Sequence, residues 1–133
     1  MMEEKKQRIM TLLEELGYKP KLDEDGDVCL RYEMKTFYFM PGADLDDYMT
    51  VWFPQFISIP EDEVPQFLAI SNKCSREIRM AKVYVDSSMA SVSASCEFYF
   101  NNEESQKYLM QESIETLARI RSAFFKIQAD LSE

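Results

Sequence analysis

The sequence predicts an α+β fold, an antiparallel sheet with three helices in the order α-β-β-β(-β)-α-β-β-α. Three observations carry it. Apolar residues recur at helical spacing over residues 2–16, 62–81 and 103–131. Residues 18–56 break into four strand-like runs separated by turn residues. From Ala90 to Phe100 apolar and polar residues alternate, the pattern of a half-buried antiparallel strand.

In the first helix Ile9, Leu12, Leu13 and Leu16 form the stripe, and Gly17 follows as the glycine that ends it, with Tyr18 folding back on the last turn. Glu24-Asp25-Gly26 reads as a three-residue hairpin loop with Gly26 in the left-handed position. That loop pairs Leu22 with Val28, Pro20 with Leu30 and Tyr18 with Tyr32, all on one face. Pro20 has no N–H to donate, so the first strand is expected at an edge. A tight turn at Glu33-Met34 then pairs Leu30 with Phe37 and Val28 with Phe39, collecting the strongest apolar residues on one side. It demands positive φ of two residues that do not favour it. One continuous strand is the alternative, and it throws Phe37 and Phe39 onto the opposite face. Pro41-Gly42 and the acidic run Asp44–Asp47 make the next loop, and Tyr48–Phe53 is the fourth strand, with Pro54 near its end.

The second helix is expected to start at about Asp62, because Pro65 is tolerated only in a first turn. Its buried line reads Val64, Phe67, Leu68, Ser71, Cys74, Ile78 and Ala81. Lys82–Asp86 and Ala90–Phe100 form a last hairpin, with Val92, Ala94, Cys96, Phe98 and Phe100 on one face. Asn101-Asn102 caps the third helix, whose stripe runs through Met110, Ile114, Leu117, Ile120, Phe124, Ile127 and Leu131. Unbroken from Glu103 to Leu131, that helix would be about 43 Å long at about 1.5 Å per residue. A domain of this size is about 36 Å across. The helix end should therefore overhang and expose Phe124 and Phe125 for self-association or client binding. A break near Ser122, folding the last turns over the first helix, is the other reading.

At 133 residues, 46% of them apolar, the chain is expected to form one domain, 1–133, with a substantial core. The formal charge of −9 argues against a nucleic-acid binder that neutralises phosphates and against docking on an anionic membrane. No apolar run is long enough to span a bilayer, and the charged N-terminus is no secretory signal, so a cytoplasmic protein is expected. Cys29, Cys74 and Cys96 read as small core hydrophobes in a reducing compartment. With no histidine and three glycines, the histidine-based hydrolases, histidine zinc sites, phosphate loops and dinucleotide fingerprints are excluded. No catalytic apparatus, cofactor or metal site is expected. Aligning Gly26 with the invariant glycine of a calcium loop puts Lys21 at the first ligand position and Tyr32 at the last, so that match fails. Asp23, Glu24, Asp25 and Asp27 should lie at the same end of the sheet as Asp44, Asp46 and Asp47, where solvated turns are weighed against a loose cation site.

The second face of the sheet should carry Tyr38, Met40, Tyr48, Trp52, Tyr84 and Tyr99. Two readings stand. Either the second helix covers them as a two-sided core, or part of this surface is a partner or dimer patch. The candidate partner-binding residues are Tyr38, Tyr48, Trp52, Tyr84 and Tyr99, with Phe124 and Phe125 at the helix end.

Three stretches carry a family resemblance: LLEELGYKPKLDEDGDVCLRYEMKTFYF at 12–39, VWFPQFISIPEDEVPQFLAISN at 51–72 and AKVYVDSSMASVSA at 81–94. With them the chain resembles the YbjN-like family of bacterial proteins, proposed sensory-transduction regulators that share the α-β-β-β-α-β-β-α plan of class I type III secretion chaperones. The resemblance implies a non-enzymatic binding module, often a homodimer. An unidentified protein or peptide partner would lie along its apolar strips or add to a sheet edge. It also implies a helix-to-strand hydrogen bond from Asn72, which corresponds to a recurrent asparagine. The family's usual Tyr-Glu-Gly turn has Met34 in the glycine's place here. The rival class is a small-molecule sensor holding an apolar ligand between sheet and helices. An enzyme built only from Asp, Glu, Tyr or Cys has no constellation to support it.

Overall fold

The order of elements in the computed structural model, which describes residues 2–132, is α1 (Met2–Glu15), β1 (Lys21–Leu22), β2 (Val28–Tyr32), β3 (Lys35–Pro41), β4 (Tyr48–Ser58), α2 (Val64–Glu77), β5 (Ala81–Val85), β6 (Ser91–Tyr99), α3 (Glu103–Ala118) and α4 (Ile120–Leu131). The strands form one antiparallel sheet in the order β1-β2-β3-β4-β6-β5. This is the expected α+β class with one helix more.

α1 ends as its sequence requires. Gly17 sits at φ 94, the Tyr18 N–H donates to the Leu13 carbonyl at 3.0 Å and the Gly17 N–H to that of Glu14 at 3.0 Å. Tyr18 then meets Tyr32 edge-on at 5.5 Å. The β1–β2 register pairs Leu22 with Val28, as expected, with Gly26 at φ 78, but the ladder stops at Lys21, so Pro20–Leu30 and Tyr18–Tyr32 are not strand pairs. β1 is only two residues long, so Leu22 lies on the inner face yet is 52% exposed at the sheet's corner. Between β2 and β3, Leu30 pairs with Phe37 and Val28 with Phe39. Glu33 at φ 50 and Met34 at φ 68 both accept the left-handed conformation.

One core lies between the sheet and the helices. Leu30, Phe37, Val51 and Phe98 are buried in it together with Ile9 and Leu13 of α1 and Met110, Ile114 and Leu117 of α3. Tyr32 ties β2 to α3 by donating to Glu115 at 2.9 Å, a bond that pushes the phenol up to about 12.

β4 does not stop at Phe53. It continues to Ser58 through a bulge, for Phe53 pairs with Ala94 and the next paired residue, Ile57, with Val92. Pro54 lacks a donor, and Gln55, at φ 49, gives its N–H to Ser93 Oγ at 2.8 Å instead of to the ladder. The bulge brings Phe56 onto the helix side, stacked on Phe53 at 4.9 Å and edge-on to Phe124 at 6.2 Å.

Three expectations about the helices are corrected. In α2 the buried line is Phe67, Ile70, Ser71 and Cys74, and Leu68 is exposed, because the helix is rotated from the expected stripe. Asn72 is exposed, and the helix-to-strand bond belongs to Ser75, whose Oγ accepts from the Val83 N–H at 2.8 Å and donates to the Val83 carbonyl at 2.9 Å. The long C-terminal helix is broken at Arg119 (φ −99, ψ −3), three residues before Ser122, and α4 packs on α2 rather than on α1. The break turns Phe124 inward between Phe56 and Phe67, where a straight helix would have carried it off the sheet.

Phe37→Ala should destabilise the fold by about 3–5 kcal/mol in urea unfolding, since the ring is fully buried and edge-on to Phe53. Met34→Gly should do the opposite. Met34 is 85% exposed and loses no packing, and relief of its left-handed strain is expected to stabilise the protein by about 1 kcal/mol, read as a higher urea midpoint.

Candidate functional site

The register that buries Phe37 and Phe39 turns Tyr38 and Met40 outward, and the same alternation runs across the sheet. Tyr38 is opposite Trp52, Trp52 is opposite Ser95, and Ser95 is opposite Lys82. None of Tyr38, Met40, Tyr48, Trp52, Tyr84 and Tyr99 belongs to the core or packs against it. α2 joins the inner layer through Phe67 and does not cover the second face.

Five of the expected partner-binding residues share this uncovered face. The Tyr38 and Trp52 rings are 5.9 Å apart, and Trp52 Nε1 donates to Tyr84 Oη at 3.0 Å. Ser91, Ser93 and Ser95 are buried although they point to the open side. They are small enough for the larger side chains of the flanking strands to close over β6. Burial is the main cause that raises the Tyr38 phenol above its ordinary value, with the neighbouring Cys29, Asp23, Asp27 and Asp25 adding to it. Towards one end, Tyr48 and Tyr99 lie 4.9 Å apart. Tyr48 donates to Glu97 Oε2 at 2.7 Å, and Lys82 meets Glu97 Oε1 at 2.9 Å. Those two bonds, first from Lys82 and then from Tyr48, hold the Glu97 carboxyl below its usual range. Tyr99 at 63% and Met40 at 41% are the most exposed apolar groups of the face.

The two helix-end candidates separate. Phe124 is fully buried and belongs to the core, so it is no surface residue. Phe125 is 39% exposed on the outer side of α4, beneath the guanidinium of Arg121 at 4.8 Å. It is not part of the sheet face.

Two clefts run along the bulge of β4 and share Tyr38, Pro54 and Gln55. One, of about 390 Å³, reaches Met34, Phe56 and Arg121. The other, of about 290 Å³, has Tyr38 and Trp52 on one side and Asp23, Asp25 and Asp27 on the other. Sequence reasoning missed these clefts. The signal was Pro54 followed by the strand-forming run Phe56-Ile57, a pattern that a bulge allows as well as a strand end. The three aspartates bring oxygens within 4.8 Å of one another. Asp23 Oδ1 already accepts from the N–H groups of Asp25 and Asp27, both at 2.9 Å, and Lys6 lies 3.8 Å from Asp27. The second acidic loop is held at the same end, where Lys5 donates to the Gly42 carbonyl at 2.7 Å and pairs with Asp46 at 3.2 Å.

Cys29, Cys74 and Cys96 are all buried, and burial pushes each thiol up, to about 11 for Cys74 and Cys96. No helix among the described residues is long and apolar enough to cross a membrane.

No family profile matches the chain, and no curated protein sequence matches it. Solved structures do. YbjN from E. coli, a proposed transcription regulator, has a TM-score of 0.68 at 10% identity, covering 94% of this chain and 92% of that one. An uncharacterized protein from Methanothermobacter thermautotrophicus has a TM-score of 0.62 at 11% identity, covering 95% of this chain and 97% of that one. The type III secretion chaperone SycH of Yersinia pestis, in complex with a stable fragment of YscM2, has a TM-score of 0.46 at 9% identity, covering 96% and 98%. At these identities the likeness is one of fold, and the fold is the one YbjN has.

The Lys82–Glu97 pair gives a pH-dependent prediction. A carboxyl lowered in the folded state contributes stability that is fully present above its unfolded value, 4.5, and is lost as the pH falls through the folded value. Glu97→Gln should therefore lower the Tm at pH 7, and the difference from wild type should shrink progressively below pH 4.5. With Lys82 more than half exposed, the loss should stay under about 1 kcal/mol.

Proposed function

We propose that the chain is a non-enzymatic protein-binding module whose open sheet face receives an extended segment of a protein partner. The observation that carries this reading is the aromatic surface of Tyr38, Tyr48, Trp52, Tyr84 and Tyr99, which no helix covers. Tyr and Trp supply large contact area with few torsions to fix, and they dominate the energetics of interfaces. The charges give the segment its chemistry. Asp23, Asp25 and Asp27 border the cleft beside Tyr38 and Trp52, so a lysine or arginine of the partner meets carboxylates at one end and aromatic faces at the other. The sheet edges favour lying on the face over adding a strand. Ser75 already occupies the outward N–H and C=O of Val83 on β5, and Pro20 directly precedes the two-residue β1.

Trp52 is the only tryptophan, so its emission reports occupancy directly. Extended peptides selected from a displayed random library should be enriched in apolar and basic residues and should shift that emission on binding. A Tyr38→Ser/Trp52→Ser variant should stay folded and lose roughly thirtyfold in affinity, followed by calorimetry. Peptides that bind this variant as well as wild type, or a selection with no binder, would sink the reading. A second copy of the chain is the other occupant of the face. Light scattering that finds a dimer, converted to a folded monomer by the same two substitutions, would assign the face to self-association instead.

A further inference from the structure

The turn from α2 into β5 and the break between α3 and α4 meet at a cleft of about 300 Å³, on the helical side of the molecule and away from the sheet face. Ile78, Ile120 and Ala123 give it an apolar wall, Thr116 a hydroxyl, and Arg79 and Arg119 two guanidinium groups. Both arginines sit on backbone irregularities. Arg79 directly precedes Met80, which is held at φ 71, and Arg119 is itself the interruption of the helix.

The charges around the cleft are unbalanced. Arg79 makes no hydrogen bond, ion pair or ring contact among the described residues. Arg119 has only Glu115, at 3.9 Å, and that carboxylate also accepts from Tyr32. Glu77, two residues before Arg79, is paired with Lys73 at 3.0 Å. In a chain of net charge −9, this is a local reversal of sign. Guanidinium groups suit the planar pairs of oxygens on phosphate and carboxylate, and the volume is at the lower end of small-ligand sites. The overall negative charge disfavours an anionic lipid surface and leaves soluble molecules.

We propose that this cleft binds a small amphipathic anion, with a phosphate or carboxylate head held by Arg79 and Arg119 and a short apolar body against Ile78, Ile120 and Ala123. The site is independent of the sheet face.

The test is an amide NMR titration of the full chain with hexyl phosphate, hexanoate, inorganic phosphate and hexanol. Saturable shifts are expected at Arg79, Thr116, Arg119 and Ile120 with hexyl phosphate or hexanoate, and the tighter of the two identifies the head group. Inorganic phosphate should bind about tenfold more weakly, and hexanol should leave these signals in place. Arg79→Gln/Arg119→Gln, both exposed and away from the core, should weaken hexyl phosphate at least tenfold without altering the rest of the spectrum. Ala123→Leu should weaken hexyl phosphate and leave inorganic phosphate unchanged. Absence of saturable shifts with every anion, or equal affinity in the arginine variant, overturns the proposal. The Tyr38→Ser/Trp52→Ser variant should bind hexyl phosphate like wild type, so failure at either site leaves the other reading standing.

Discussion

The hairpin between β2 and β3 is the constraint on which the rest of the structure depends. Side chains alternate along a strand, so a slip of one residue at Glu33-Met34 would exchange Phe37 and Phe39 for Tyr38 and Met40. The chain accepts two left-handed residues to prevent it. Each costs about 1–2 kcal/mol. Against that stand Val28, Leu30, Phe37 and Phe39, all essentially buried, at about 1.5–3 kcal/mol apiece. The burial wins by a clear margin, and the strained turn is tolerated because the core over-determines it. The register then propagates: Phe39 sets Val51, Val51 sets Cys96, and Cys96 sets Ala81.

Once that register is set, the two faces have different fates. The inner face is large and continuous, and all four helices are needed to cover it. The break at Arg119 serves that need. α3 covers β4 and β6 through Met110, Ile114 and Leu117, and α4 swings to α2 so that Phe124 fills the gap beside the bulge. The outer face is closed only by its own side chains, with large ones on β4 and β5 flanking the serines of β6. The acidic loops at one end are fastened by Lys5 and Lys6 of α1. Negative charge therefore gathers at that end, while Arg79 follows the C-terminus of α2 and Arg119 caps that of α3.

What was legible followed from local chemistry. Gly17, Gly26 and Asn102 each have one conformational job, and each does it where the sequence places it. Strand alternation located the two faces, including five of the seven partner-binding candidates. What was not legible depended on tertiary packing. Leu117-Ala118-Arg119-Ile120 is good helix in isolation, and only the demand to bury Phe124 bends it. The rotation of α2 that exposes Leu68 and buries Ile70 is decided by Phe67 meeting Phe124, a contact across 57 positions of sequence that no local pattern contains. The bulge at Pro54–Phe56 had a signal in the proline, but a proline ends a strand as readily as it bends one.

The contrast between edges and face bears on how such a fold meets another chain. A sheet offers a partner either the unpaired backbone of an edge or the side chains of a face, and the two have different specificities. Edge pairing is largely indifferent to sequence, and an open edge invites aggregation. Here one edge is a two-residue strand behind Pro20, and the other has its outward groups at Val83 taken by a serine from α2. Both are blunted by devices written into single residues. The face has no such protection: its polar bonds, Trp52 to Tyr84 and Tyr48 to Glu97, hold the rings in place and leave them half-buried. A pre-arranged aromatic surface loses little freedom when it is covered, so any affinity there would come from shape and from the fixed positions of rings and carboxylates. Recognition by this sheet would therefore be a matter of side chains, which is the form that discriminates one partner from another.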